Sequence, residues 1–68
     1  MEYEILEQIA ILGKKGVWTK EFNLIRWHKK WDKYDIRDWS DDHTTMSKGV
    51  TMTRDEVITL KDALEFLD

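Results

Sequence analysis

The 68-residue sequence has no cysteine and no proline, and it has only three glycines. Without cysteine it can form neither a disulfide nor a thiolate zinc site. Its two histidines, His28 and His43, are isolated and lack the spacing of a metal-ligand cluster. We therefore expect no metal and no cofactor. Because a domain this small has little core, we expect it to gain stability by forming a homodimer.

Long hydrophobic runs are also missing from the sequence. The longest uninterrupted run is Ile9 to Leu12, far short of the roughly 20 residues that a membrane-spanning helix needs. The first residues carry glutamates and no positive segment, so we expect no secretory signal. The composition thus predicts a single domain over residues 1–68, soluble and cytoplasmic, with no membrane partner.

Charge is distributed unevenly, although the net charge is only −3. Residues 14–37 hold eight cations and three acids and therefore carry +5, while the segments on either side are acidic. All four tryptophans lie within this basic stretch or just beyond it: Trp18, Trp27, Trp31 and Trp39. One positive face can attract a phosphate backbone even when the overall charge is negative.

Alternating apolar residues and turn residues predict four strands, at residues 3–12, 17–27, 33–39 and 49–52. A four-residue turn, Gly13 to Gly16, is predicted between the first two strands. Both faces of the first strand are partly apolar, which indicates packing on both sides for part of its length. A helical stripe competes with that interpretation, because apolar residues there also recur at helical spacing.

The end of the chain predicts a helix. Thr53-Arg-Asp-Glu56 forms a capping box, in which the threonine hydroxyl and the glutamate each bond the other's backbone amide. Apolar residues from Val57 to Leu67 then recur at intervals of three and four, which predicts an amphipathic helix to the C-terminus. The predicted fold is α+β, a four-stranded antiparallel meander followed by one helix. Because one helix covers only one face of a sheet, the other must face solvent, a partner subunit or a ligand.

The third predicted strand separates two kinds of side chain. Period-two alternation puts one set of side chains opposite Tyr34 and Ile36, namely Lys33, Asp35, Arg37 and Trp39. Charged residues about 7 Å apart along a strand can follow a phosphate backbone. Aromatic rings between them can stack on bases, at about 1–3 kcal/mol per base. Because a duplex hides its bases, this pattern favours single strands.

The same segment carries a family resemblance. Lys33-Tyr-Asp-Ile-Arg-Asp-Trp39, a polar loop, Met46-Ser-Lys-Gly-Val-Thr-Met52 and a capped helix together resemble the positive cofactor 4 family of transcriptional coactivators, especially its small bacterial YdbC-like branch. The resemblance covers residues 33–64 well and is looser over 3–27. It implies a homodimer that binds single-stranded DNA with little sequence preference. Its setting would be transcription regulation or DNA metabolism, at a bacterial or phage nucleoid.

The resemblance also implies roles for particular residues. Arg37 and Lys48 would contact phosphates, while Trp39 and Trp27 would stack on bases. Lys33 lies on the same face and is added to the site, and Lys20 is a weaker candidate from the less well matched second strand. The predicted nucleic-acid-binding residues are thus Trp39, Arg37, Lys48, Trp27, Lys33 and Lys20.

Other interpretations remain open. Trp18 and Trp31 have no assigned role beyond a structural or peripheral one. Asp41, Asp42 and His43 form the one acid-histidine cluster, but consecutive polar residues in a loop are typical of a solvated turn, so we expect no enzyme and no small-molecule substrate. A protein-interaction module anchored by tryptophans is one alternative. Single-stranded RNA in place of DNA is another.

Overall fold

The computed structural model describes residues 2–67 and has the predicted architecture, an antiparallel four-stranded sheet followed by one helix. The elements are β1 (Tyr3–Lys15), β2 (Trp18–Trp27), β3 (Trp31–Trp39), β4 (Val50–Met52) and α1 (Arg54–Leu64). The strands lie in the order β1-β2-β3-β4, so each strand pairs with its neighbour in sequence.

The first hairpin turns later than predicted. β1 continues to Lys15, and the turn consists only of Gly16 and Val17, with Lys15 opposite Trp18. The four-residue turn at Gly13–Gly16 was therefore wrong. Gly16 has φ +60°, which suits the first central residue of a type II′ turn, the two-residue turn whose twist matches that of the strands.

Three register shifts interrupt the β1–β2 ladder, between Ile5 and Glu7, Gln8 and Ala10, and Ile11 and Gly13. Each shift adds an unpaired residue to β1 and moves the following side chains to the other face. This explains why apolar residues of the segment fall on both faces when the sequence is read with period two. It also explains why the same residues could be interpreted as one face of a helix. The expected packing on both sides does not reach the second half of β1, where Ile11 and Leu12 are exposed at the edge of the sheet.

The second hairpin is shorter than predicted, because β3 begins at Trp31 and only His28, Lys29 and Lys30 connect the strands. Trp27 and Trp31 face each other across this turn. His28 and Lys29 have φ values of 54° and 59°. This left-handed conformation costs roughly 1–2 kcal/mol in a residue other than glycine. The turn is therefore a strained point in the chain.

The helix begins at the predicted cap. The Thr53 hydroxyl accepts from the Glu56 amide at 3.2 Å, and the Glu56 carboxylate accepts from the Thr53 amide at 2.8 Å. The helix ends at Leu64 rather than at the C-terminus, because the amides of Phe66 and Leu67 bond carbonyls only three residues back. Within residues 2–67, no helix is long and apolar enough to span a membrane.

The strand register defines two faces, because paired residues share a face and successive residues alternate. The tryptophan face of β2 and β3 carries Thr19, Glu21, Asn23, Ile25, Trp27, Trp31, Lys33, Asp35, Arg37 and Trp39. The helix face of the same strands carries Lys20, Phe22, Leu24, Arg26, Asp32, Tyr34, Ile36 and Asp38. The alternation predicted for the third strand is confirmed, and β2 alternates in the same way.

The buried apolar core lies on the tryptophan face, with Tyr3, Ile5 and Met46 packed against Ile25, Trp27 and Trp39. Residues from the start of β1 and from the segment before β4 therefore cover part of the face that was expected to stay open. On the helix face, none of the residues of α1 is buried. The helix leaves an apolar groove of about 540 Å³ between its side chains and the sheet.

Candidate nucleic-acid interface

Trp39, the first-ranked predicted binding residue, is enclosed. Its exposed fraction is 0%, and its ring lies 5.3 Å from the Tyr3 ring and 5.6 Å from the His43 ring, between centroids. Met46 pairs with it as an isolated bridge, and the Tyr3 hydroxyl donates to the carbonyl of His43. In this conformation Trp39 offers no surface to a base. Stacking there would require the segment between β3 and β4 to move away.

That segment, residues 40–49, is ordered by its own polar groups. The Asp42 carboxylate accepts from the Ser40 hydroxyl at 2.9 Å and from the Thr44 hydroxyl at 2.7 Å. The bond from the Thr44 hydroxyl is the largest cause that holds the pKa of Asp42 below its ordinary value. The acid-histidine cluster of the sequence is therefore a structured turn. Within residues 2–67 no three acids, histidines or cysteines converge as a metal site.

Polar side chains are also buried on the tryptophan face, which the sequence pattern did not predict. Glu21, Asn23 and Asp35 are all buried. His43 Nε2 lies 2.9 Å from Glu21 Oε2, and Asn23 Nδ2 donates to Glu21 Oε1 at 3.1 Å. Because buried polar groups destabilise a fold unless they are paired, this network ties residues 40–49 to β2.

Arg37, a predicted phosphate contact, is already engaged. Its Nε and Nη2 donate to the two oxygens of Asp35, each at 2.7 Å. Its Nη1 donates to Met46 Sδ at 3.2 Å and to the Ser47 carbonyl at 3.3 Å. The guanidinium also lies 4.8 Å from the centroid of the Trp27 ring, and the side chain is only 11% exposed. A phosphate would have to compete with Asp35 for these donors.

The accessible part of the tryptophan face lies at the β2–β3 turn. A cavity of about 350 Å³ is lined there by Trp27, His28, Trp31, Lys33, Arg37 and Thr51. Trp31 is 49% exposed and Trp27 only 8%. Lys33 has no ion-pair partner among residues 2–67. Trp31, which was given no binding role, is thus the most exposed ring beside a predicted cation.

Lys20 and Lys48 lie apart from this cavity. They line a second one, of about 420 Å³, which also includes Ile36 and Asp38 of the helix face. Neither lysine has an ion-pair partner within residues 2–67. Next to Lys48, a Cβ on Gly49 would lie 2.4 Å from Arg37 Cβ and 2.5 Å from the Ile36 carbonyl. Only glycine permits this close approach, which explains the Lys-Gly pair of the motif.

The six predicted residues therefore occupy three places. Trp27 and Lys33 lie together at the β2–β3 turn, Lys20 and Lys48 lie together beside residues 47–50, and Arg37 lines both cavities. Trp39 is buried beneath residues 40–49. The sequence contained one signal for Trp31: two tryptophans flank a three-residue basic turn, so they face each other across the hairpin.

A small antiparallel sheet with unpaired lysines beside an exposed tryptophan is typical of single-strand-binding domains. The model of the transcriptional coactivator p15 (PC4) family matches residues 14–63. The chain therefore belongs to the PC4, or positive cofactor 4, family, as the resemblance indicated, and the match points to a DNA-binding family rather than to an enzyme family. An uncharacterized protein of Treponema pallidum (strain Nichols) is 43% identical over 63 residues, or 91% of this chain and 74% of that relative. The bacterial branch within the family stays a prediction.

Proposed function

We propose that the chain binds single-stranded DNA without catalysis and with little sequence preference, as a homodimer, in transcription regulation or DNA metabolism. Membership of the PC4 family supports the partner class. The observation that carries the proposal is the cavity at the β2–β3 turn, where the exposed ring of Trp31 lies beside the unpaired Lys33. A ring that stacks on bases and a cation that meets phosphates are the two elements of sequence-independent binding.

The parts of this cavity have different roles in the proposal. Trp31 stacks on a base, which contributes about 1–3 kcal/mol, and Lys33 contacts the backbone. Trp27 and Arg37 form the floor, because Trp27 is largely buried and the guanidinium covers its ring. Trp39 can stack on a base only if residues 40–49 move away from it. We therefore expect Trp31 to contribute more to binding than Trp39.

Lys20 and Lys48 extend the positive surface beyond the cavity. Arg37 lines both cavities, so the two surfaces lie on either side of this residue. Each phosphate that a lysine neutralises releases counterions, and for single strands the salt dependence of log K then steepens by about 0.7. Lys20→Gln and Lys48→Gln should therefore each lower the slope by up to this amount, with little change in base preference. Fluorescence anisotropy over a salt series measures it.

The homodimer is supported by the open groove on the helix face. Leu12, Phe22, Ile36, Val57, Leu60 and Leu64 line it. Monomeric soluble proteins rarely leave an apolar patch of this kind exposed. A second copy presents the same stripe, as a two-fold interface requires. We expect sedimentation to give about twice the 8.2 kDa of one chain. Leu60→Asp with Leu64→Asp should shift the mass to the monomer, and a wild-type chain that sediments as a monomer would remove the dimer from the proposal.

The test of binding compares three labelled ligands: oligo-dT, oligo-U and a duplex of equal length. We expect oligo-dT to bind more tightly than the duplex, with steep weakening as salt rises. Trp31→Ala should weaken binding about 5-fold or more, and Trp31→Phe should restore most of it because a smaller ring still stacks. Absence of oligo-dT binding at low salt would overturn the proposal. Equal or tighter binding of oligo-U would reassign the partner to RNA.

The apolar groove also supports a second candidate function, a protein-interaction module. A partner protein could cover the helix face in place of a second copy. Salt dependence separates the two functions, because an apolar interface weakens little as salt rises whereas phosphate contacts weaken steeply. If a protein partner binds with an affinity that is insensitive to salt, and the chain alone is monomeric, this alternative is favoured.

A further inference from the structure

The end of the first hairpin extends beyond the rest of the sheet. β3 pairs with β2 only as far as Thr19, which lies opposite Trp39. The β1–β2 arm, residues 13–20, continues beyond that point by one further pair, Lys15 opposite Trp18, and the turn that joins them. Most of β1 lies outside the residues that match the family, 14–63. The site described above does not include the tip of this arm.

The arm is strongly basic. Lys14, Lys15 and Lys20 are its charged residues, with no acid among residues 13–20. In the part of the chain that the structure describes, none of the three lysines forms an ion pair. The one acid that lines the adjoining cavity is Asp38. Among the described residues, the arm cavity therefore has three lysines against one acid and keeps a positive excess.

An exposed ring lies among these cations. Trp18 is 36% exposed, Lys15 is its partner across the hairpin, and both lie on the helix face, as does Lys20 two residues further along β2. A cavity of about 470 Å³ is lined by Trp18 and all three lysines. This arrangement repeats the combination of ring and cation found at the β2–β3 turn, at the other end of β2, about 30 Å away by strand rise.

The cavities are linked by the residues they share. Lys20 and Asp38 line both the arm cavity and the Lys48 cavity. Arg37 lines both the Lys48 cavity and the Trp31 cavity. The three cavities thus share lining residues in series, from the tryptophan face at the β2–β3 turn, around residues 47–50, to the helix face of the β1–β2 arm.

We propose that the β1–β2 arm is a further contact surface for the single strand, with Trp18 as a stacking ring and Lys15 as a phosphate contact. This inference rests on the proposed function, because it extends the path of the same ligand. The exposed Val17 at the tip is compatible with a protein contact as well. Three unpaired lysines against one acid favour a polyanion over an apolar partner surface.

The experiment compares two lengths of labelled oligo-dT on the full chain, because only the longer can occupy both ends of β2. A short oligonucleotide of about 6 nucleotides and a long one of about 20 bracket the usual range of site sizes. Trp18→Ala should weaken the long oligonucleotide about 5- to 10-fold and leave the short one within about 2-fold. Trp18→Phe should bind almost as the wild type does.

Lys15→Gln tests the phosphate contact without touching the ring. It should lower the salt slope for the long oligonucleotide by about 0.7. Arg54→Gln is the matched control, because it removes one exposed cation at the start of α1, away from the three cavities. We expect Arg54→Gln to leave the slope unchanged. Because Lys15 is exposed, its variant stays informative even if Trp18→Ala does not fold.

The outcomes separate this inference from the proposed function. If the wild type binds neither oligonucleotide, the proposed function fails and the inference fails with it. If the wild type binds both and the arm variants bind the long one normally, the proposed function stands and the inference is overturned. A loss of dimer mass in Lys15→Gln would also overturn it, because the arm would then belong to a protein interface.

Discussion

The two faces of the sheet differ in what covers them. On the tryptophan face, Tyr3 and residues 40–49 enclose Trp39, and the buried carboxylates of Glu21 and Asp35 have partners. On the helix face, α1 lies over the sheet without burying any of its own residues and leaves an apolar groove open. The single chain thus has its packed core on the side of the Trp31 cavity and its unpacked apolar surface on the side of the proposed second copy, which is also the side of Trp18 and Lys20.

This difference means that changes on the tryptophan face act on two properties at once. Trp39 and Arg37 were predicted from the sequence as contacts for a ligand, yet they lie in the packed part of the fold. Trp31 and Lys33 share the same face and lie where it is open. Substitutions near the end of β3 should therefore lower mainly the stability of the fold, and substitutions near its start should lower mainly the affinity for the ligand.

The largest expected effect is on stability, from Trp39→Ala. Truncating a fully buried tryptophan costs about 3–5 kcal/mol, which approaches the whole stability of a small domain. We expect urea unfolding to show a largely unfolded variant, whereas Trp31→Ala should unfold close to the wild type. A folded Trp39→Ala chain of normal stability that lost only affinity would break the comparison, since Trp39 would then act as a ligand contact and not as core.

The next largest effect on stability is expected from the buried ion pair between Arg37 and Asp35. Arg37→Met leaves the Asp35 carboxylate buried without its partner, which costs about 3 kcal/mol. Arg26→Met is the matched control, because Arg26 makes the same two-pronged contact with Asp32 on the exposed helix face. Removing an exposed pair changes stability little. Equal unfolding midpoints for the two variants would show that burial does not distinguish these pairs.

The order of elements was predictable because its signals are local. Alternation with period two marked β2 and β3, and the capping box marked the start of α1 at the right residue. The three register shifts of β1 were not predictable, because they depend on which residues of β2 lie opposite. The turn was predicted to begin at Gly13 rather than at Gly16 because the two glycines have the same local preference, and only strand pairing decides between them.

The site was predictable in its faces and not in its burial. Alternation placed Lys33 and Arg37 on one side, and the resemblance added Trp27 to them, as the structure does. It could not show that residues 40–49 fold over Trp39, because coverage depends on contacts between distant parts of the chain. The pairing of Asp35 with Arg37 did have a signal, since opposite charges two residues apart on a strand lie on the same face.

A smaller effect on the free energy of unfolding is expected where residues 47–50 approach β3. Gly49→Ala places a Cβ against Arg37 and the Ile36 carbonyl, and overpacking of this kind costs about 1–3 kcal/mol. Gly13→Ala is the control, since a Cβ there meets no atom within 4 Å. We expect the temperature of thermal unfolding to be lower for Gly49→Ala and unchanged for Gly13→Ala. A Gly49→Ala chain with unchanged stability would mean that this segment can move away from the sheet.

The smallest effect is expected on the helix side, at the cap of α1. Thr53→Ala removes the hydroxyl that accepts from the Glu56 amide, and loss of such a cap costs about 1 kcal/mol. Because α1 buries none of its residues, packing should not compensate, and the helix content by circular dichroism should fall. Unchanged helix content would show that a partner, not the cap, stabilises the helix, and that the helix face is covered in solution.

The pH dependence of the same cap has a definite sign. The Thr53 amide, and after it the Thr53 side chain, hold the pKa of Glu56 below its ordinary value of 4.5. A lowered pKa means that the charged carboxylate stabilises the folded chain fully above the unfolded pKa, and that this contribution is lost as the pH falls through the lower folded pKa. Glu56→Gln should abolish this loss of stability at low pH. Thr53→Ala keeps the backbone amide, the larger cause, so NMR titration of Glu56 should show its pKa rising only part of the way; a full return to the ordinary value would assign the effect to the hydroxyl.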